Sequence, residues 1–219
     1  MQTVVPLEPG HYYHVYNRGV NRTNVFVEDR NYAYFMELYA KYISPVADTF
    51  AYCLLRSHFH MLVRIRTQRA TDPDRLGFEN RVGLEALDHR AVSHAFNNWL
   101  NSYAKAINRA YGRTGSLFQH HFGRLPVTSD RYLAAVIQYI HHNPQKHGFV
   151  NDFRDWPYSS YHALLSDKPT RLERAAVVDW FGGPRALRQS HASPTDESLI
   201  SAFIGDDDET DSVSETESV

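Results

Sequence analysis

The stretch "RSHFHMLVRI", Arg56 to Ile65, decides how the chain folds, because apolar side chains recur in it with a period of two. Successive side chains of a β-strand point to opposite faces of the sheet. His58 and His60 therefore lie side by side on one face. The other face is apolar and consists of Phe59, Met61, Val63 and Ile65. Two adjacent imidazoles fill a core poorly and bind a metal well, so this strand predicts both a sheet and a candidate metal site.

The patterns on either side of this strand predict an α+β fold. Strand-like runs lie at 10–17, 49–55 and within 116–127, and helical spacing covers 31–43, 92–110 and a segment that begins after Ser129 or Asp130 and stops near Asn143-Pro144. The short link Arg56-Ser57 joins the second and third strands as a hairpin. The resulting order, β-α-β-β-α-β-α, predicts a small antiparallel sheet with helices packed on one face.

Composition divides the chain into a folded domain and appendages. Residues 1–165 carry the predicted domain, 67–91 an insertion or mobile loop, 166–204 a C-terminal extension and 205–219 an acidic tail. The tail holds seven acidic residues and no basic one, so we expect it to be disordered. Without these seven acids the chain has 23 basic and 18 acidic side chains, which suits an anionic partner.

Cysteine usage and hydropathy exclude several classes of protein. The single cysteine, Cys53, excludes a disulfide framework and a cysteine-based zinc site. No stretch is apolar enough to span a membrane, and the first ten residues do not resemble a signal peptide. These features predict a soluble cytoplasmic protein.

The third predicted helix offers further candidates for the site. Tyr139 and Asn143 are four residues apart, so both lie on one flank of its apolar stripe. Asn143 is the candidate third, oxygen ligand beside His58 and His60, and Tyr139 is a candidate nucleophile. Two observations favour a purely structural role for these residues. A lone His-x-His is more often a hydrogen-bonded pair, and a chain with 14 tyrosines uses most of them for packing. Tyr132 is the second choice for the nucleophile.

This set of side chains suits cleavage of a phosphodiester. A metal polarises the phosphoryl oxygens. A tyrosine oxygen that displaces the 3′ oxygen leaves a 5′-phosphotyrosine, and a free 3′-OH can later reverse the step and join strands. A nuclease that activates water on the metal, with Tyr139 in a packing role, remains an alternative. So does a hairpin-DNA-binding protein that no longer cuts.

Four motifs in this order resemble one family. The motif His58-Phe59-His60 matches the single-tyrosine "HUH" transposases, and "YHVYNRGVNRTNVF" (13–26), "GSLFQHHF" (115–122) and "YIHHNPQKHGFV" (139–150) resemble the REP-associated tyrosine transposase (IS200-like) branch over roughly residues 10–165. The resemblance implies a ferredoxin-like fold and single-stranded DNA, with a short imperfect hairpin, as substrate. It also implies that His58 and His60 are metal ligands, Tyr139 the nucleophile and Asn143 the third ligand, although His142 is an alternative ligand. Arg56-Ser57 departs from the Pro-Asn of many relatives.

Residues that could hold DNA are basic or bear carboxamides. The candidates are Asn17, Arg18, Asn21, Arg22, Lys105, Arg109, Arg113, Arg124 and Lys146. The loop "NRGVNR" (17–22) is the first choice and "GRTGSLFQHHF" (112–122) the second, although a solvated surface role is commoner for any one of these residues. The metal is expected to be Mg²⁺ or Mn²⁺, and the protein a monomer or a homodimer.

Overall fold

The computed structural model describes residues 5–68, 86–193 and Ile200. Its strands are β1 (Tyr12–Arg18), β2 (Ala47–Leu54), β3 (His58–Ile65) and β4 (Gly123–Val127). Its α-helices are α1 (Asp29–Tyr42), α2 (His89–Ala110), α3 (Asp130–Lys146), α4 (Tyr161–Leu164), α5 (Arg174–Trp180) and α6 (Pro184–His191). The predicted tail 205–219 and most of the predicted loop 67–91 lie outside the described residues.

The four strands form one antiparallel sheet in the order β2-β3-β1-β4. The hairpin of β2 and β3 forms as predicted, and β3 pairs with β1 so that His58 faces Arg18 and His60 faces Tyr16 across the ladder. This strand order with a βαββαβ connection is the ferredoxin-like arrangement. The predicted α+β class with an antiparallel sheet is confirmed.

Helices cover both faces of the sheet. The apolar face of β3 packs with α1 and α2 in a core that contains Phe35, Phe59 and Trp99. On the other face, Leu62 joins a second core with Val136 and Ile140 of α3. The expectation of helices on one face thus describes α1 and α2, whereas α3 lies across the face that carries the histidines. Leu62 is apolar and lies on that face, so its burial requires an element such as α3 to pack against it.

Helix α3 begins at its predicted cap and ends later than expected. Ser129 accepts a hydrogen bond from the Tyr132 backbone N–H, which satisfies one donor of the first turn. The helix then passes through Pro144 and ends at Lys146. Proline has no backbone N–H, so Pro144 removes one intrahelical hydrogen bond. Because this single loss lies close to the C-terminal end of α3, the last turn still forms. The predicted stop at Asn143-Pro144 was therefore about one turn too early.

The segment after residue 150 packs against α3. The buried side chains of Val177 on α5 and Leu187 on α6 belong to the same core as Val136. Trp156 anchors the connecting segment, because its indole N–H donates to the Leu54 carbonyl at 2.9 Å. Among the helices in the described ranges, none has the length and apolarity needed to cross a membrane.

Candidate active site

The two histidines of β3 are buried between the sheet and α3. His58 is 1% exposed and His60 is fully buried. The Ser57 hydroxyl lies 3.0 Å from His58 Nδ1, and His14 Nε2 lies 3.0 Å from His60 Nδ1. Each of the two rings therefore contacts another side chain through its Nδ1. A ligand common to both would be bound through Nε2.

Burial keeps these imidazoles neutral. Desolvation lowers the pKa of His58 to about 3, and the neighbouring charges of His147 and Arg18 act in the same direction. Burial likewise lowers the pKa of His14 to about 3 and holds that of His60 well below its ordinary value. A neutral imidazole carries the lone pair that a metal ligand needs.

Helix α3 brings Asn143 and Tyr139 against this pair. The fully buried Asn143 places its Oδ1 3.3 Å from His58 Nε2. The Tyr139 ring meets the His60 ring edge to face at a centroid distance of 5.6 Å. Tyr139 is 3% exposed, but it also lines a cavity of about 680 Å³ between α3 and the C-terminal segment. The four residues predicted for catalysis and metal binding are thus neighbours, although His58 and Asn143 are 85 residues apart in the sequence.

Two further histidines, His14 and His147, lie beside His60 and His58 and complete a histidine cluster. The sequence did not predict either of them as part of the site. The His14 ring stacks on His60 at 5.1 Å and meets Tyr139 edge to face at 5.9 Å. The His147 ring lies 4.9 Å from that of His58. Alternation along β1 places His14 on the face away from Val15, but only the pairing of β1 with β3 brings it to His60. His147 follows the last turn of α3, where no periodicity predicts a direction.

Two alternatives from the sequence lie elsewhere. His142 points toward the C-terminal segment, where its Nε2 donates to the His191 carbonyl at 2.9 Å and its ring packs on Phe153. It therefore does not face His58. Tyr132 lies in the first turn of α3 and is 36% exposed. Tyr139 is largely buried, and its ring meets those of His14 and His60.

The donor atoms fit a divalent metal with mixed ligands. Among the described residues, no three His, Cys, Asp or Glu side chains form a metal-binding group. The Asn143 oxygen adds a further donor atom beside His58. Two ligands at right angles, each ~2.1 Å from one ion, lie ~3 Å apart. The separation of 3.3 Å between Asn143 Oδ1 and His58 Nε2 is close to this value. Ser57 and His14 stand where outer partners of ligating histidines are found.

The residues predicted to contact DNA differ in their exposure to solvent. Exposed cations lie at Arg22, Lys105, Arg109 and Lys146, and Arg113 is half-buried. Asn21 and Arg22 have left-handed φ angles of 52° and 57°, a strained pair in an exposed turn.

The other predicted contacts are more enclosed. Asn17 and Arg18 are buried at the end of β1, and Arg18 lies near His58. Arg124 is tied to the protein, because its guanidinium lies 3.9 Å from the Phe122 ring centre and donates to Ser93.

Comparison with known proteins agrees with the motifs. Over 139 residues the chain is 29% identical to a Haemophilus influenzae protein described as "Putative REP-associated tyrosine transposase", which spans 63% of this chain and 68% of that protein. The chain is thus similar to a protein described as a REP-associated tyrosine transposase. No family model matches it.

Two other likenesses are weaker. A solved structure of a REP-associated tyrosine transposase bound to a REP hairpin aligns with a TM-score of 0.49 and 17% identity, over 77% of this chain and 88% of that chain. Photosystem I P700 chlorophyll a apoprotein A2 of Prochlorococcus marinus is 29% identical over 79 residues, which are 10% of its length.

Proposed function

We propose that the chain is a single-stranded DNA endonuclease and strand transferase that forms a 5′-phosphotyrosine at Tyr139. One observation carries the proposal: Tyr139 and Asn143 of α3 lie against the buried pair His58 and His60 of β3. Similarity to a protein described as a REP-associated tyrosine transposase supports the DNA-cleaving activity. The expected partner is single-stranded DNA that contains an imperfect hairpin.

The residues divide the reaction between them. The Tyr139 oxygen attacks the phosphorus in line; a P–O bond to tyrosine forms and the P–O bond to the 3′ oxygen breaks. The phenol loses its proton and the departing 3′ oxygen gains one, so the step is balanced. Lys146 places its ammonium 5.7 Å from the centre of the Tyr139 ring, where it can bind the phosphate under attack. A free 3′-OH reverses the step and joins strands.

His58, His60 and Asn143 are the proposed ligands of Mg²⁺ or Mn²⁺. The bound ion supplies charge that stabilises the phosphoryl oxygens. The chain itself keeps the two imidazoles neutral by burial and orients them through Ser57 and His14. Imidazole ligation favours Mn²⁺ over Mg²⁺.

The test is a denaturing gel with end-labelled single-stranded DNA hairpins taken from the flanks of the gene, with Mn²⁺ or Mg²⁺. The wild type should give a covalent protein–DNA band that requires metal. Tyr139→Phe should abolish the band, whereas Tyr132→Phe, on the same helix, should retain it. A band that persists in Tyr139→Phe would refute the assignment of the nucleophile.

The burial of Tyr139 favours a second candidate function. At 3% exposure, this tyrosine can serve as a packing residue while a water molecule attacks the phosphodiester. In that case the same gel shows cleaved DNA without a covalent band, and Tyr139→Phe cleaves as the wild type does. Binding without cleavage on every flank would instead indicate a hairpin-binding protein that does not cut.

A further inference from the structure

A groove with both polar and apolar lining runs between α2 and residues 115–122. Its volume is about 600 Å³, within the size range of binding sites for small organic groups. Five of the fifteen residues that line it carry carboxamides: Asn17, Asn97, Asn101, Asn108 and Gln119. We refer to this feature as the amide groove.

The wall on α2 results from helical spacing. Asn97, Asn101 and Asn108 are separated by four and seven residues, so all three lie on one face of α2. Asn97 and Asn101 are exposed, and neither has a side-chain hydrogen bond to another described residue. Asn108 donates to the Gly115 carbonyl at 2.8 Å, while its buried Oδ1 has no hydrogen-bond partner among the described residues. A buried acceptor of this kind favours a ligand that can donate to it.

The opposite wall is anchored to the candidate active site. The Gln119 backbone N–H donates to the Arg18 carbonyl at 2.9 Å, and Asn17 Nδ2 donates to the Gln119 carbonyl at 3.4 Å. This anchoring leaves the Gln119 side chain at the exposed rim. His121, in the same wall, has a left-handed φ of 64°, which is uncommon for a residue other than glycine.

The groove and the histidine cluster meet at the end of β1. Asn17 lines the groove. The next residue, Arg18, is on the opposite face of the sheet, where it lies near His58. A DNA strand that crosses this edge can therefore reach both places. Lys105 adds a positive charge to the lining, and no described lining residue is acidic. Both features suit a polyanion.

We propose that the amide groove binds unpaired bases beside the cleaved phosphodiester and recognises their edges. This inference rests on the proposed function, because it takes single-stranded DNA as the substrate. A carboxamide donates and accepts at once and matches the donor–acceptor pair that adenine presents at N6 and N7. Lys105 contacts phosphate and contributes affinity without reading sequence.

The experiment is a binding selection on the full chain. The probe is a DNA hairpin from the flank of the gene whose five unpaired flanking nucleotides are randomised on each side. Bound molecules are sequenced for the wild type, Asn101→Ala and Gln119→Ala. Asn98→Ala is the matched control, because Asn98 is also on α2 but bonds to His94 and does not line the groove.

The wild type should enrich a short consensus, and the two groove variants should lose about 10-fold of the preference at one or two positions. Their affinity for the unselected pool should remain, which also shows that they fold. Asn98→Ala should enrich the wild-type consensus. Lys105→Ala should weaken binding to all sequences alike and lower the salt dependence of binding.

Either a wild type that enriches nothing or groove variants that enrich the wild-type consensus would overturn the inference. Covalent adducts are scored in parallel to separate it from the proposed function. A groove-dependent consensus without any adduct would refute the strand-transfer proposal and leave the groove assignment standing. If adducts form and the groove variants enrich the wild-type consensus, the strand-transfer proposal stands and the groove assignment is refuted.

Discussion

Acid should destabilise this protein through a buried chain of hydrogen bonds that needs neutral histidines. The Tyr52 N–H donates to Ser160 Oγ, and the Ser160 hydroxyl donates to His141 Nε2 at 2.8 Å. His141 Nδ1 then donates to His191 Nε2 at 2.8 Å, and His191 Nδ1 donates to the Leu187 carbonyl. Each imidazole therefore donates once and accepts once. A further proton on either ring would replace an acceptor by a second donor.

The magnitude follows from the pKa of His191, which burial lowers to about 4 from its ordinary 6.5. Because the folded pKa is the lower one, this contribution to stability is complete above pH 6.5 and is lost as the pH falls toward 4. Between pH 7 and pH 5.5 the unfolded chain gains most of a proton at this position and the folded chain gains almost none. The loss is ~1.3 kcal/mol for this residue alone. Burial also holds the pKa of His141 well below normal, so it adds to the loss.

The assay is urea unfolding in EDTA at several pH values from 7 to 5.5. The wild type should lose stability over this range, and His191→Leu should lose ~1 kcal/mol less, whatever its stability at pH 7. His89→Leu, at an exposed position of α2, is the control and should lose as much as the wild type. Parallel curves for the wild type and His191→Leu would refute the reasoning.

Three substitutions test other contacts. Ser57→Ala removes the 3.0 Å partner of His58 Nδ1 and should weaken Mn²⁺ binding about 10-fold or more by calorimetry; unchanged affinity would contradict the proposed ligand set. Gly123→Ala places a Cβ 2.2 Å from the Tyr16 ring, which stacks near His14 and His60, and should lower the unfolding free energy by ~1–3 kcal/mol; wild-type stability would show that the ring moves freely. Tyr103→Phe removes a buried 2.7 Å hydrogen bond to the Val25 carbonyl and should cost ~1 kcal/mol in urea while DNA binding stays unchanged.

Local patterns predicted the elements, because backbone periodicity is written into consecutive residues. Alternation along β3 correctly placed Phe59 with α1 and α2 and His58 on the opposite face. The spacing of Tyr139 and Asn143 correctly placed both on one flank of α3. The resemblance to REP-associated tyrosine transposases implied that these two local patterns belong to one site.

What the sequence by itself determined is therefore the faces, the element order and the identity of the chemical groups. Only the tertiary structure decided that α3 covers the histidine face, that His14 joins His60, and that His142 turns away toward His191. Periodicity states which side chains share a face, but it does not state which distant element packs on that face. That choice depends on pairing and burial between segments far apart in the chain, and it brings Asn143 within 3.3 Å of His58.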